Sequence, residues 1–175
     1  MDDPYYVTNI STKVDLKPNQ LNSTNIYHNI KTRAKQLYEK KCNSFGYVDT
    51  IYKITDYKNG SIIGENFDGN IVFDITYTAR ICYPQSNSHI QCNVVNINKT
   101  LISCSNGPIT VIINTQNINK NNFKLNSNKD ITIIDGDDET VLQINDHVLI
   151  KIIASDFHNT DDGIFVYGYL EKHIK

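Results

Sequence analysis

The chain of 175 residues lacks cysteine pairs, phosphate-binding loops and long apolar runs. Its four cysteines, Cys42, Cys82, Cys92 and Cys104, show no C-x-x-C spacing, so we expect buried reduced thiols and no zinc site. It has no G-x-x-x-x-G-K-[ST] and no G-x-G-x-x-G, so no nucleotide cradle is predicted. No apolar run approaches the roughly 20 residues of a membrane span, and the first residues are acidic and polar, unlike a signal peptide. We therefore predict an intracellular protein without a membrane segment, metal or cofactor.

Groupings that indicate catalysis are also missing. The five histidines are scattered, and none has a nucleophile or carboxylate partner at a recognised spacing. The acidic stretches at residues 135–139 and 156–163 lack the order of ligands found in a calcium loop. We predict a solvated loop at the first stretch and a hairpin turn at the second. The sequence therefore predicts a protein with no catalytic residues of its own.

The first half of the chain shows both helix and strand patterns. From Asn22 to about Lys41 apolar residues recur every three or four positions, which predicts an amphipathic helix with Asn22, Ser23 or Thr24 as its N-cap. Strand patterns occupy residues 7–16, 47–54, 62–63 and 71–83. One helix together with antiparallel strands predicts a small α+β domain over residues 1–83.

For two of these elements, the strand at residues 47–54 and the helix, the sequence predicts which residues share a face. Alternation in residues 47–54 predicts Ile51 on one face of a strand, with Val48, Tyr52 and Ile54 on the other. The outer face of the helix carries five basic residues, Lys31, Arg33, Lys35, Lys40 and Lys41. These cations are predicted either to meet phosphate or an acidic partner, or to form an ordinary solvated face.

The second half shows strand patterns alone. Short β-branched runs bounded by turn residues lie at residues 90–97, 101–104, 109–113, 148–154 and 164–170. A polar Asn/Lys/Asp stretch at residues 114–145, broken by the apolar run 131–134, separates the third run from the fourth. Five short strands with this insertion predict an OB-type Greek-key barrel over residues 84–175.

Several short motifs occur in an order that resembles a known family. Phe45-Gly46-Tyr47 follows the helix, a Tyr-x-Ala-x-x-x-x-Pro tail ends the strand run at Tyr77, Ala79 and Pro84, and Gly107-Pro108 precedes the third barrel strand. This order is similar to that of the larger stalk subunit of RNA polymerases, which is the seventh subunit of RNA polymerase II and has an archaeal counterpart. The resemblance implies a tip domain, with a helix packed on a curved antiparallel sheet, and an OB barrel of the ribosomal RNA-binding type.

The resemblance implies a function without chemistry of its own. The chain would be a non-catalytic subunit of a multisubunit DNA-dependent RNA polymerase, docked on the core clamp and guiding exiting RNA. Its implied partners are a smaller stalk subunit, the largest subunit and clamp base of the core enzyme, and, weakly, nascent RNA. The implied docking residues lie within residues 59–69 and are Asn59, Gly60, Ser61, Glu65, Asn66, Asp68 and Gly69.

The barrel is the part expected to approach RNA. Candidate RNA-binding residues are Lys99, Lys151, Phe157, His158 and Tyr167. The chain departs from the family pattern in having Ser88-His89 in place of an opening glycine and Leu101 where a hairpin aromatic is common. From Pro84 onward it has seven Lys and Arg against ten Asp and Glu. Because RNA affinity depends largely on phosphate attraction, any RNA contact is predicted to be weak.

Two other functions remain open on sequence grounds. One is a free-standing OB-fold protein that binds single-stranded RNA, and the other is an interaction module that binds no nucleic acid. Asn and Ile supply roughly a quarter of the residues, a bias that suits a large DNA virus or an AT-rich protist. We therefore expect the protein in the nucleus, or in the viral factory and virion if a virus encodes it.

Overall fold

The computed structural model describes residues 2–21, 25–62, 69–126, 131–135 and 138–174. The described chain is mostly β-structure with one α-helix, α1, at Ile26–Tyr38. The strands of the first half are β1 (Tyr5–Leu16), β2 (Cys42–Asn43), β3 (Gly46–Tyr57), β4 (Ser61–Ile62) and β5 (Ile71–Cys82). Those of the second half are β6 (His89–Ile97), β7 (Leu101–Asn106), β8 (Ile109–Asn114), β9 (Phe123–Leu125), β10 (Ile131–Asp135), β11 (Asp138–Val141), β12 (His147–Asp156) and β13 (Ile164–Ile174).

The first half forms an antiparallel sheet in the order β1-β5-β3-β2, with β4 beside the start of β5. Strand β5 pairs along its whole length with β1, from Tyr5 opposite Cys82 to Leu16 opposite Ile71. Helix α1 packs on β1 and β3 and buries Ile30. The resulting core contains Ile10, Val14, Leu16, Ile30, Ala34, Val48, Ile51, Ile54, Phe73, Ile75, Tyr77, Ala79 and Ile81. The burial of these apolar side chains stabilises the helix-and-sheet unit, since each fully buried side chain contributes roughly 1.5–3 kcal/mol.

Strand β3 does not follow the predicted alternation. Val48, Ile51 and Ile54 are all buried in the same core, whereas the sequence pattern placed Ile51 opposite the other two. Register shifts follow each of these three residues in the pairing with β5. A β-bulge adds one unpaired residue and bends the strand, so the inward positions recur every three residues and the sheet curves. The predicted alternation was therefore wrong.

The helix is shorter than predicted. It begins after Asn25, which occupies the N-cap position without a side-chain capping bond. The predicted caps Asn22, Ser23 and Thr24 lie outside the described residues. The helix ends at Tyr38, and Lys40 adopts a left-handed φ of 64°. Because that backbone conformation cannot continue an α-helix, the predicted end near Lys41 was too late.

Gly46 permits the tight reversal from β2 into β3. Its φ is +122°, a conformation that L-residues rarely adopt. A Cβ atom at this position would also lie 2.5 Å from the carbonyl oxygen of Cys82 on β5. The absence of a side chain therefore lets β3 begin directly against β5.

Five strands of the second half close into a barrel in the order β12-β13-β8-β7-β6. All neighbouring pairs are antiparallel except β13 and β8, which run parallel from Ile164 opposite Ile109 to Tyr167 opposite Ile112. These are the five strands that the sequence predicted, and the α+β class with an OB-like barrel is confirmed. The inward residues of the five strands alternate with outward ones and are apolar, which explains why the period of two was readable in the sequence.

The insertion folds as a three-stranded antiparallel sheet in the order β11-β10-β9. Of these three strands, the sequence indicated only the apolar run that forms β10. Ile118, Phe123 and Leu142 belong to the barrel core together with Ile131 and Ile133 of β10. The insertion is therefore packed against the barrel.

The two halves share a buried boundary. Cys42, Tyr47 and Cys82 belong by contact to the barrel core, although they lie in the first sheet. The backbone N–H of Cys42 donates to the carbonyl of Asp161 at 2.8 Å, and the N–H of Thr160 donates to the carbonyl of Cys42 at 2.9 Å. The division into domains at residues 83 and 84 stays a prediction, and the two halves are joined by these backbone bonds and by three residues of the first sheet that pack in the barrel core.

Candidate functional site

The predicted docking segment, residues 59–69, begins at the end of the sheet that is distant from the barrel. Ser61 lies opposite Val72 at the start of β5, whereas Cys82 at the other end of that strand reaches the barrel core. Ile62 follows and is 69% exposed, so an apolar side chain meets solvent at the tip of the sheet.

The structure describes only some of the remaining predicted docking residues. Asn59 is exposed, and Gly60 fits tightly, because a Cβ atom there would lie 2.2 Å from Cγ2 of Ile71. Gly69 has a φ of +65° and lies next to Pro18. Glu65, Asn66 and Asp68 lie outside the described residues. The role of the whole segment in docking stays a prediction.

The basic face of helix α1 is largely neutralised within the chain. Arg33 forms a two-pronged ion pair with Asp15, in which Nη2 lies 3.0 Å from Oδ1 and 3.2 Å from Oδ2. The ammonium of Lys35 lies 3.5 Å from Glu39. These internal partners reduce the positive potential available to phosphate, which favours the solvated-face interpretation.

An exposed group of aromatic side chains lies where the sheet meets the barrel. Tyr6, Phe45, Tyr83 and Phe157 form what we call the junction aromatic cluster. The hydroxyl of Tyr6 donates to the carbonyl of Phe45 at 2.9 Å, and burial together with nearby Tyr83 raises the pKa of Tyr6. The rings of Tyr83 and Phe157 meet edge to face with centroids 6.0 Å apart. Such a half-exposed aromatic group is typical of protein interfaces.

On the opposite side of the junction, charged side chains interact with one another and with a tyrosine ring. The guanidinium carbon of Arg80 lies 4.0 Å from the ring centre of Tyr5, and Asp49 lies 3.8 Å from the same guanidinium. Lys40 donates to Asp49 at 2.7 Å, and this bond raises the pKa of Lys40. Burial is the main cause that raises the pKa of Tyr5 to about 12. These groups are already paired with one another, so we assign them to the rigidity of the junction.

The outer face of the barrel carries a row of aromatic residues on β13. Phe165 and Tyr167 are each about half exposed, and Tyr169 follows on the same face because successive outward residues are two apart. Lys151 of β12 lies opposite Tyr169. We call Phe165, Tyr167 and Tyr169 the barrel aromatic row. Aromatic faces beside a cation can stack bases and attract phosphate.

The five predicted RNA-binding residues do not form one site. Tyr167 and Lys151 belong to the outer face just described. Phe157 and His158 lie in the β12–β13 hairpin, where Phe157 joins the junction aromatic cluster and the N–H of His158 donates to Asp161 at 2.7 Å. Lys99 lies in the β6–β7 hairpin at the other end of the barrel, since β7 leaves that hairpin and ends opposite the start of β8, which in turn pairs with the start of β13. RNA contact by any of them stays a prediction.

Two of the four cysteines have contacts that explain their burial. The Sγ of Cys42 donates to the carbonyl of Gly163 at 3.4 Å, and burial raises the pKa of Cys42 to about 11. Burial raises the pKa of Cys92 to about 12, with Cys104 nearby. All four cysteines are buried and free. Raised pKa values make these thiols poor nucleophiles, because the thiolate is the reactive form.

Among the described residues, no three His, Cys, Asp or Glu side chains lie close enough together to hold a metal ion. The helix of this part of the chain is too short and too polar to cross a bilayer. The acidic stretch at residues 156–163 is the β12–β13 hairpin turn, as predicted. Residues 136 and 137 of the other acidic stretch are outside the description.

Both aromatic groups contain residues that the sequence did not predict. Phe165 shares the face of Tyr167 by its spacing of two, so strand periodicity could have indicated it. Tyr6 and Phe45 gave no comparable signal. They are 39 residues apart in the chain and meet only because β1 and β3 flank the same end of β5.

Fold and surfaces together define an α+β protein with an OB-like barrel and exposed aromatic groups suited to macromolecular contacts. No protein-family model matches the chain. It is 32% identical over 152 residues to the "Putative DNA-directed RNA polymerase subunit L376" of Acanthamoeba polyphaga mimivirus, an alignment that covers 85% of this chain and 73% of that protein. The chain therefore belongs to the family of this viral RNA polymerase subunit.

Proposed function

We propose that the chain is the larger stalk subunit of a multisubunit DNA-directed RNA polymerase encoded by a large DNA virus. The observation that carries the proposal is the combination of family membership with a helix-on-sheet unit followed by a closed OB-like barrel. The subunit performs no catalysis and acts through the place at which it binds the core enzyme. The core enzyme synthesises RNA, and the stalk biases the clamp and guides the transcript.

The tip of the sheet docks on the core enzyme. Strand β5 separates this tip from the barrel by 12 residues, or about 40 Å at roughly 3.3 Å per residue. Exposed Ile62 lies at the tip, and Gly60 allows β4 to approach β5 closely. The distance lets residues 59–69 reach the clamp base and largest subunit while the barrel stays outside.

A smaller stalk subunit covers the junction aromatic cluster. Tyr6, Phe45 and Tyr83 are 41%, 50% and 38% exposed, and they lie together at the junction. Tyrosine and phenylalanine supply large rigid contact areas at low cost in conformational entropy, which is why they anchor interfaces. The cluster involves both halves of the chain, so a partner bound there would fix their orientation.

Exiting RNA passes the barrel aromatic row and contacts it weakly. Tyr167 and Phe165 offer ring faces, and Lys151 lies one strand away. The acidic excess of this half limits the electrostatic contribution to affinity. The same row also favours a second candidate, a free-standing single-strand RNA-binding protein, but such a protein has no need of the sheet tip or of the junction aromatic cluster.

Affinity purification of the tagged chain from its native cells, followed by mass spectrometry, tests the proposal. We expect the large polymerase subunits and one smaller protein in near-equal amounts. The variant Ile62→Asp should lose the large subunits, because it places a charge in the docking surface. Val95→Asp serves as the matched control, since Val95 is also apolar and exposed but lies on β6 of the barrel. Recovery of ribosomal proteins or RNA without polymerase would refute the stalk and support the free RNA binder.

A further inference from the structure

One edge of the first sheet is open. Strand β1 is the outer strand there, and in the described sheet it pairs with β5 alone. The N–H of Tyr83 donates to the carbonyl of Pro4 at 2.8 Å, so Pro4 and every second residue after it turn their backbone groups toward β5. The pairing of β1 with β5 keeps one register along its whole length. The backbone groups of Val7, Asn9 and Ser11 therefore point away from the sheet, and we call these three residues the open edge.

Backbone contacts on either side of the open edge agree with this orientation. The N–H of Tyr5 donates to Oδ1 of Asp3 at 3.0 Å. The carbonyl of Lys13 accepts a hydrogen bond from the hydroxyl of Tyr38 on helix α1. Both groups are turned outward and are satisfied within the chain. Between them, the backbone N–H and carbonyl groups of the open edge have no partner among the described residues.

The other long edge of the same sheet is closed. The carbonyl of Val48 on β3 accepts from the N–H of Lys40 at 2.7 Å, and the N–H of Ile51 donates to the carboxylate of Glu39 at 2.9 Å. The carbonyl of Ile54 accepts from a tyrosine hydroxyl of helix α1 at 3.3 Å. Helix α1 and the residues that follow it thus cap this edge, whereas β1 remains open.

The open edge lies in a stretch that lacks the usual protection against strand pairing. Residues 5–12 contain no charged residue, no proline and no glycine, and their pairing with β5 shows no bulge. Natural edge strands carry lysine, proline or a bulge because bare backbone groups otherwise pair with another chain. Here Pro4 and Lys13 stand only at the two ends of the stretch. The open edge is therefore suited to pair with a further strand.

We propose that an extended segment of another RNA polymerase subunit adds to the open edge as a β-strand. The backbone specifies this occupant. Outward residues recur about 6.8 Å apart, at roughly 3.4 Å per residue, and only an extended polypeptide presents donors and acceptors at that spacing. A helix satisfies its own backbone groups and cannot pair in this way. The proposal rests on the proposed function for the source of the strand, a polymerase subunit.

Side chains on the outer face of β1 define the chemistry of the added strand. Oδ1 of Asn9 accepts from the hydroxyl of Thr78 at 2.7 Å, and the hydroxyls of Ser11 and Thr76 lie 2.9 Å apart. This row of uncharged polar side chains already crosses from β5 to β1. Val7 is 60% exposed. The added strand therefore carries uncharged polar residues opposite the polar pair of the open edge and a β-branched or aromatic residue opposite Val7.

Hydrogen exchange of single backbone amides tests the proposal. It is measured on the free chain and on the complex recovered with the tagged chain from its native cells. In the free chain, the amides of the open edge should exchange fast, whereas those of Thr8 and Ile10 should be protected because they point toward β5. In the complex, we expect exchange at the open edge to slow at least ~10-fold, which replaces the alternating pattern by protection of the whole stretch.

Two substitutions at one position separate strand pairing from general covering. Val7→Pro removes an outward N–H and places a ring at the edge, but leaves the bonds to β5 in place, because proline is tolerated where the N–H faces solvent. It should abolish the added protection at Asn9 and Ser11. Val7→Thr keeps the N–H and should retain that protection within about 3-fold. Continued protection of Thr8 and Ile10 checks that the sheet of each variant is folded.

The possible results have distinct meanings. Recovery of polymerase subunits without slower exchange at the open edge overturns strand addition and leaves the proposed function standing. Recovery without any polymerase subunit refutes the proposed function, and the named source of the strand with it. Equal behaviour of Val7→Pro and Val7→Thr also overturns the proposal. Protection that rises with the concentration of the free chain, together with a dimer in sedimentation, would assign the open edge to a second copy instead.

Discussion

Tyr83 and Phe157 meet edge to face across the boundary between sheet and barrel, with ring planes at 89° and centroids 6.0 Å apart. Tyr83 directly follows β5, and Phe157 directly follows β12, so each ring stands where its strand ends. Aromatic pairs in this geometry stabilise beyond their buried area, because a positive ring edge faces a negative ring face. The pair therefore couples the two halves of the chain.

A double-mutant cycle should measure that coupling. Tyr83→Ala and Phe157→Ala are expected to show an interaction free energy of about 0.5–1.5 kcal/mol in urea unfolding, the usual value of such a ring pair. Tyr52, on β3, provides the control. Tyr52→Ala combined with Phe157→Ala should be additive within roughly 0.5 kcal/mol. Additivity for the Tyr83 pair would show that the rings do not contribute to joining the halves.

Two glycines with positive φ should differ in their tolerance of alanine. Gly46→Ala should destabilise by at least about 2 kcal/mol, because a left-handed backbone is combined with a clash against Cys82. Gly69→Ala has a similar backbone strain, but its nearest neighbour would be Pro18 at 3.6 Å, so about 1 kcal/mol is expected. Thermal unfolding of both variants checks the prediction. Equal costs would contradict the close approach of β3 to β5.

Alkaline pH should destabilise the fold between about pH 9 and pH 12. Burial raises the pKa of Cys82, Cys92 and Cys104 from 9.0 to about 12, and that of Tyr77 from 10.0 to about 12. In this window the unfolded chain has lost protons that the folded chain still holds, so rising pH favours unfolding. Stability from these groups is complete below pH 9. The free energy of urea unfolding, measured from pH 7 upward, should stay level and then fall.

The variant Tyr77→Phe isolates one contribution to this alkaline effect. It removes the ionising hydroxyl and should reduce the loss of stability between pH 10 and pH 12. Tyr52→Phe, at an exposed tyrosine, should keep the full decline. An unchanged slope in Tyr77→Phe would show that Tyr77 ionises alike in folded and unfolded chains.

The proposed weak contact with RNA should depend on the barrel aromatic row. Tyr167→Ala is expected to reduce affinity for a single-stranded oligonucleotide about 10-fold, since stacking contributes roughly 1–3 kcal/mol per base. Lys151→Ala should weaken binding and lower its dependence on salt. Titrations at two salt concentrations measure both effects, with Tyr52→Ala as the control for loss of an exposed tyrosine. Binding that survives Tyr167→Ala at full strength would place RNA elsewhere.

The sequence predicted most of the regular structure because that structure has a simple period. Inward residues of the five barrel strands alternate with outward ones, and α1 buries Ile30 and Ala34 at helical spacing. The same reasoning failed for β3, because each of its bulges adds a residue and shifts the inward position. The sequence pattern did not predict the whole sheet of the insertion, for another reason. Strands β9 and β11 have only three and four residues, too few to show a clear period, and the packing of Phe123 and Leu142 on the barrel stabilises the sheet.

The sequence by itself determined the α+β class, the five barrel strands and the relation to an RNA polymerase subunit, because local periodicity and motif order are properties of the chain. Only the tertiary structure decided which exposed residues meet. Tyr6 and Phe45 join Tyr83 because β1 and β3 both pair with β5, and Ile118 and Leu125 line one groove because the insertion folds back on β13. Tyr6, Phe45 and Tyr83 are far apart in sequence, and strand pairing and burial, which no local pattern encodes, bring both sets of residues together.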